Sequence, residues 1–187
     1  MRIDSVSLTR FRNYHAEEVA FCPGMNLLTG PNGHGKTNLL EAIHYACLAH
    51  SQRTRKDKEL IEWNESSFVL RLRGRIGDRE HVQSVEYTET GAKRVKVEGR
   101  ESKRLSDLIG HFSVVSFSPE DLDLIRSGPQ IRRRFLDILL CQFSAYGRSP
   151  EKPAGTGPPC LFRPPCHDAG SGSFRARKAG RRRGDWR

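Results

Sequence analysis

Residues 25–42 read MNLLTGPNGHGKTNLLEA, and the octapeptide from Gly30 to Thr37, GPNGHGKT, fits G-x-x-x-x-G-K-[ST] at Gly30, Gly35, Lys36 and Thr37. The spacing has a chemical reason. Glycines let the backbone turn tightly around a phosphate, with several N–H groups aimed at its oxygens. A helix opening at the end of the loop adds the positive end of its dipole. Lys36 is spaced to put an ammonium on the β- and γ-phosphates, and the Thr37 hydroxyl to ligate Mg²⁺. Pro31, Asn32, Gly33 and His34 complete the loop, so residues 30–37 form a candidate cradle for ATP and Mg²⁺. The flanks agree. MNLLTG is a short apolar run ending at glycine, and KTNLLEAIHYACLA carries apolar residues at Leu39, Leu40, Ile43, Ala46 and Cys47 in helical spacing. That context favours a nucleotide-binding loop over an ordinary glycine-rich strand–helix turn.

Working outward, RIDSVSLTRF predicts a strand with Ile3, Val6 and Leu8 as its apolar members, and HAEEVAF and MNLLT predict two more around the Pro23–Gly24 turn. Past the loop's helix, SSFVLRLRGRI, EHVQSVEYTE and AKRVKVEG are separated by Gly77–Asp78 and Gly91, which predicts an antiparallel meander. SKRLSDLIGHF predicts a short helix, and SVVSF a buried strand. SPEDLDLIRSG predicts a helix capped by Ser118 with acids in its first turn. PQIRRRFLDILLCQF predicts another helix, with Pro129 near its first position. Glu120 and Asp121 follow an apolar run, as do the acids that position Mg²⁺ and water in many ATPases. Pro119 and two serines interrupt that pattern, and a helix N-terminal turn accounts for the acids better.

The chain of 187 residues is long enough for one domain with a real core. Its hydrophobic content of 36% and mean hydropathy of −0.63 predict a soluble protein. No apolar run approaches membrane-spanning length and the N-terminus lacks a signal-peptide core, so a cytoplasmic location without membrane contact is expected. The five cysteines, Cys22, Cys47, Cys141, Cys160 and Cys166, include no C-x-x-C pair, and CLFRPPCH has neither the spacing nor an evident fourth ligand for zinc. Unpaired thiols are the simpler reading.

The net charge of +10 is unevenly placed. Residues 145–187 carry ten Lys/Arg against three Asp/Glu, whereas residues 1–144 carry 22 against 19. The high pI is thus mainly a property of the end of the chain, and says little about nucleic-acid binding by the rest. The same stretch holds six of the ten prolines and seven of the seventeen glycines, with no apolar periodicity. It cannot bury enough apolar surface to offset its ordering entropy, so disorder is expected there. The division expected is therefore 1–143, folded, and 144–187, a low-complexity basic tail.

The strand–turn element LTRFRNY, followed by the loop and LLEAI, resembles the N-terminal half-head of the SMC-like ABC ATPases. FSPEDLDLIRSGPQIRRRFLD (117–137) narrows the resemblance to their bacterial recombination-mediator branch. It runs from Arg2 to about Phe143. It implies an α/β P-loop NTPase head of ABC/SMC type: an N-terminal lobe of mixed sheet plus antiparallel meander, with the start of a helical arm. It also implies that Arg12 and Asn13 lie near the adenine or phosphates, and that Arg53 of SQRT (51–54) contacts nucleotide or DNA. The residues alone leave Arg12 equally readable as a solvated strand-end charge, and Arg132–Arg134 as a solvated helix face.

Members of the family bind ATP and Mg²⁺, form ATP-dependent homodimers and bind single-stranded or gapped double-stranded DNA. With other recombination mediator proteins they serve repair, replication-fork maintenance and SOS induction. The signature loop, the apolar strand ending in paired acids and the switch histidine of the family are not visible here. The arginine-, proline- and glycine-rich text after residues 143–150 reads like a GC-rich gene translated out of frame. An incomplete copy that binds nucleotide weakly without turnover is therefore expected. The alternative is a small stand-alone P-loop phosphotransferase, which the predicted meander after the loop's helix does not suit.

Overall fold

A computed structural model of the chain describes residues 1–102, 104–126 and 128–146. The tail expected over 144–187 lies, from residue 147 onward, outside the described residues.

Six strands form one sheet: β1 (Arg2–Phe11), β2 (Tyr14–Ala20), β3 (Ser67–Ile76), β4 (Arg79–Thr88), β5 (Lys93–Val97) and β6 (Arg100–Ser102). Their order is β2-β1-β3-β4-β5-β6, and every neighbouring pair is antiparallel. The predicted meander is β3–β4–β5. Between β1 and β3 the chain makes the phosphate-type loop and helix α1 (Lys36–Leu48), which lies across one face of the sheet.

Strand alternation sets that face. One row across the sheet reads Val6, Leu72, Gln83, Val97, and the next reads Leu8, Leu70, Val85, Val95. Leu39, Ala42, Tyr45 and Ala46 of α1 are buried in the same core. Each fully buried leucine there contributes about 1.5–3 kcal/mol. Gln83, a polar member of an apolar row, donates from Nε2 to the Ala46 carbonyl at 2.8 Å. It thereby satisfies one of the carbonyls that a helix end leaves open. Lys93 caps the same end through Ala49 O at 2.8 Å while pairing with Asp57 at 2.7 Å. Gly74 allows a close approach: a Cβ there would sit 2.3 Å from Arg2 O and 2.7 Å from Phe112 Cε1.

Three expectations differ from the structure. MNLLT is not part of the sheet, and Met25 and Leu27 are 94% and 83% exposed. SVVSF is likewise unpaired, with Val115 and Phe117 each 87% exposed. Both are apolar runs suited to burial between parallel neighbours, and no described strand runs beside them. Among the described residues of SKRLSDLIGHF, the helical part is a 3₁₀ turn, Leu105–Asp107. Ser102 is drawn into β6 opposite Val95, its Oγ lies 2.5 Å from Asp107 Oδ2, and Gly110 at φ +97° ends any helical run.

Beyond it, a 3₁₀ turn Pro119–Leu122 leads into the short helix α2 (Asp123–Arg126), and α3 runs Pro129–Tyr146 from the predicted proline. Asp121 Oδ2 accepts the Ser118 N–H at 2.6 Å, so the acid at this turn caps backbone. Arg132 of α3 donates to the carbonyls of Leu124 and Ile125, closing the end of α2.

Candidate nucleotide-binding site

The loop of residues 30–37 is shaped by its glycines. Gly30, Gly33 and Gly35 have φ of +142°, +86° and +90°, values that L side chains rarely adopt. Gly35 is also the N-cap of α1, and a Cβ on it would lie 2.7 Å from Asn13 Nδ2 and 2.9 Å from the Tyr14 hydroxyl. Glycine is therefore required there twice over, by conformation and by space. No side chain caps α1 and no acid lies in its first turn. The amides of that turn and the helix dipole thus meet no negative side chain from the turn itself, which suits them to hold an anion.

Lys36 extends back over the loop, donating from Nζ to the carbonyls of Gly30 at 2.8 Å and Pro31 at 2.6 Å. Pro31, Asn32, Gly33, His34 and Thr37 are exposed, so the loop and the first turn of α1 face solvent. Thr37 carries its hydroxyl on that turn, one residue from Lys36, where it could hold a divalent ion beside a phosphate.

Arg12 and Asn13 are brought beside this loop by a two-residue hairpin, since Phe11 pairs with Tyr14 across it. Arg12 holds φ +56°, a left-handed conformation costing a non-glycine residue about 1–2 kcal/mol. Its contacts hold it there. The Arg12 N–H donates to Leu60 O at 2.7 Å. Its guanidinium donates to both oxygens of Glu41 at 3.1 and 3.0 Å and to Glu59 O at 2.9 Å. Asn13 packs on Gly35 and accepts from Asn38 Nδ2 at 2.8 Å. Tyr14 donates its hydroxyl to Gly35 O at 3.1 Å; burial, and secondarily Glu17, hold its pKa above the ordinary phenol value.

Glu41 is the residue that sequence reasoning missed. The apolar spacing placed Leu40 on the packed side of α1, yet Leu40 is exposed while Glu41 and His44 are buried. The Glu41 carboxylate also accepts from Ser51 Oγ at 2.5 Å and from Arg53 Nη1 at 3.2 Å. Arg53 reaches the first turn of α1 as well, through Asn38 Oδ1 at 3.0 Å. Two arginines, a serine and two asparagines thus form one network from loop 51–54 to the glycine loop. The sequence signals for this network were Arg12, Asn13 and Arg53, each singled out by resemblance, and none pointed to Glu41.

Toward the other end of α1, a cleft of about 330 Å³ is lined in part by His44, His50, Arg53, Ser116, Arg134 and Gln142. His44 donates from Nδ1 to the His50 carbonyl at 3.2 Å, which sets the Nδ1–H tautomer of its ring. Burial, then the neighbouring His50, push its pKa down to about 4.

The AAA domain family model matches residues 5–144. The DNA replication and repair protein RecF of Halalkalibacterium halodurans is 48% identical over 145 residues, covering 77% of this chain and 38% of that protein. RecF of Clostridium perfringens is 40% identical over 144 residues, covering 77% and 40%. The chain thus spans about two-fifths of the length of these curated relatives. A solved structure of the recombination mediator protein RecF with ATPrS, from the RecFOR pathway, superposes with a TM-score of 0.71 at 37% identity over 75% of this chain and 38% of that one. A structure from work on ATP-driven dimerisation of SMC ATPases gives 0.56 at 21% identity over 73% of this chain and 98% of that one, a likeness of fold alone. Loop, helix and antiparallel sheet agree with these matches: the chain belongs to the AAA domain family, has the P-loop NTPase fold of ABC/SMC-type heads, and is similar over 77% of its length to the N-terminal part of RecF.

Proposed function

We propose that this chain binds ATP with Mg²⁺ at residues 30–37, as part of a protein of DNA replication and recombinational repair. The observation that carries the reading is the glycine loop itself. Three left-handed glycines, an uncapped helix N-terminus and a lysine folded back over the loop occur together within residues 30–37. In this reading the loop amides take phosphate oxygens, Lys36 exchanges the carbonyls of Gly30 and Pro31 for the β- and γ-phosphates, and Thr37 ligates Mg²⁺. Bound Mg²⁺ would neutralise phosphate charge and fix the triphosphate's geometry. Asn13 borders the loop at Gly35, and Arg12 stands one residue away on the same hairpin.

The likeness to RecF supports the wider role: binding of single-stranded or gapped double-stranded DNA, work with other recombination mediators, ATP-dependent homodimerisation and SOS induction, in the cytoplasm. Among the described residues no helix is long and apolar enough to cross a membrane. In this reading residues 1–143 supply the nucleotide-binding lobe. A stand-alone phosphotransferase is not favoured, because α1 is followed by antiparallel strands and not by the parallel βαβ succession that such enzymes use.

Titration calorimetry with ATP–Mg²⁺ tests the reading. Lys36→Ala removes a hydrogen-bonded charge from the phosphates, a loss of about 1.5–3 kcal/mol, or roughly 10- to 100-fold in affinity. Equal affinity in the variant, or none in the parent chain, overturns it.

A further inference from the structure

We infer that Glu41 is a positioning residue: one buried carboxylate that holds Arg53 at the first turn of α1 as a second cationic group for the nucleotide's phosphates. This rests on the nucleotide reading above. The side chain of Glu41 is 2% exposed, yet two guanidiniums and one hydroxyl share it. A single negative charge against two positive ones leaves the cluster with a surplus of one positive charge, at the margin of a loop built for an anion.

The two arginines differ in what they have left to give. Arg12 engages Nε, Nη1 and Nη2, bridging α1 to the turn at Glu59, and its side chain is 22% exposed. It acts as a clamp. Among the described residues Arg53 bonds to side chains only through Nη1, divided between Glu41 Oε2 and Asn38 Oδ1, and its side chain is 39% exposed. Its remaining fork of donors is available for a phosphate oxygen.

Ser51 fastens the arrangement from the other side. Its hydroxyl donates to Glu41 and accepts the N–H groups of Arg53 at 3.0 Å and Thr54 at 3.2 Å. The carboxylate therefore fixes the backbone of loop 51–54 and the head group of Arg53 together. Asn38 then links Arg53 to Asn13, which packs on Gly35.

Two measurements on the full chain decide the matter. Hydrogen exchange without nucleotide reads the positioning directly. Glu41→Gln should speed exchange at the Arg53 and Thr54 amides at least tenfold and leave that of Leu39, bonded to Gly35 O at 2.9 Å, unchanged. Calorimetry then compares ATP–Mg²⁺ with ADP–Mg²⁺. Glu41→Gln and Arg53→Ala should each lower the preference for ATP about tenfold, as expected for one charge-assisted bond, and the double variant should lower it no further. Glu41→Asp should restore part of it. Unchanged exchange at residues 53 and 54, or additive losses in the double variant, overturns the inference. Absence of ATP binding in the parent chain would sink the nucleotide reading, while exchange would still decide whether Glu41 holds the loop.

Discussion

Apolar residues meet opposite fates in the sheet and in the two unpaired segments of this molecule. In the sheet, Val6, Leu8, Leu70, Leu72, Val85 and Val95 point to one face and are buried under α1. In residues 25–28, Leu28 packs on that core while Met25 and Leu27 lie open; in 114–117, Val114 packs inward while Val115 and Phe117 lie open. Period-two alternation predicts which side chains share a face. Whether the second face is covered depends on a neighbour, which is a long-range property. β3 has two ladder partners, β1 and β4; the two open segments have none among the described residues.

The largest effects should come from breaking the closed region. Phe68 is fully buried, with ring centroids 5.2 Å from Phe11 and 5.4 Å from Tyr45, both edge-on, and 5.7 Å from Tyr87. Phe68→Ala should cost about 3–5 kcal/mol in urea unfolding, from lost transfer energy plus the cavity left behind. Phe117→Ala, a chemically identical truncation, should change stability by less than about 0.5 kcal/mol. Similar losses in the two variants would mean that residues 113–117 are covered in solution and that the contrast is wrong.

Next in size is a dependence on pH at the polar margin of the core. His44 ordinarily titrates near 6.5, but in the fold it does so near about 4, chiefly through burial and then through His50. The His50 ring is lowered too, again mainly by burial. Between those two pH values the unfolded chain binds a proton that folded His44 refuses, so stability rises with pH across the window. It should fall as the solution is acidified from about 6.5 to about 4, by up to about 3 kcal/mol from His44, and this contribution should then level off. His44→Gln keeps a donor for the His50 carbonyl and should flatten that slope. A parent chain whose unfolding free energy stays constant over the window would contradict the burial of His44.

Much of the fold was legible because its signals are local. The glycine loop, the alternation in β3, β4 and β5, and Pro129 at the start of α3 depend on residues a few positions apart. The rotation of α1 was not legible. Leu40 and Ile43 suit an apolar stripe, but Glu41 and His44 are buried by groups distant in sequence, including Arg12, 29 residues earlier, and Arg53, 12 residues later. At the site, Gly30–Thr37 could be read directly. Arg12, Asn13 and Arg53 came only through resemblance, because nothing local distinguishes an arginine that clamps a buried carboxylate from one that points into water. The helix expected at residues 102–112 failed for a related reason: Ser102 pairs with β5, and that partner is set by the sheet and not by its neighbours in sequence.

The smallest effect sharpens the comparison from the open side. Asn26 fastens the turn before the loop, exchanging hydrogen bonds with Cys22 N and O at 2.9 Å each, so residues 25 and 27 are displayed on a fixed backbone. Replacing Met25 and Leu27 together by threonine removes apolar surface that folding does not bury, and should shift unfolding by less than about 0.5 kcal/mol. The same change should lower concentration-dependent self-association in sedimentation experiments, because exposed apolar side chains drive it. Leu28→Thr should do the reverse, costing about 1–2 kcal/mol with little effect on association, since Leu28 already packs on the core. If all three positions behaved alike, alternation in this segment would be a matter of composition alone, without a packed side and an open side.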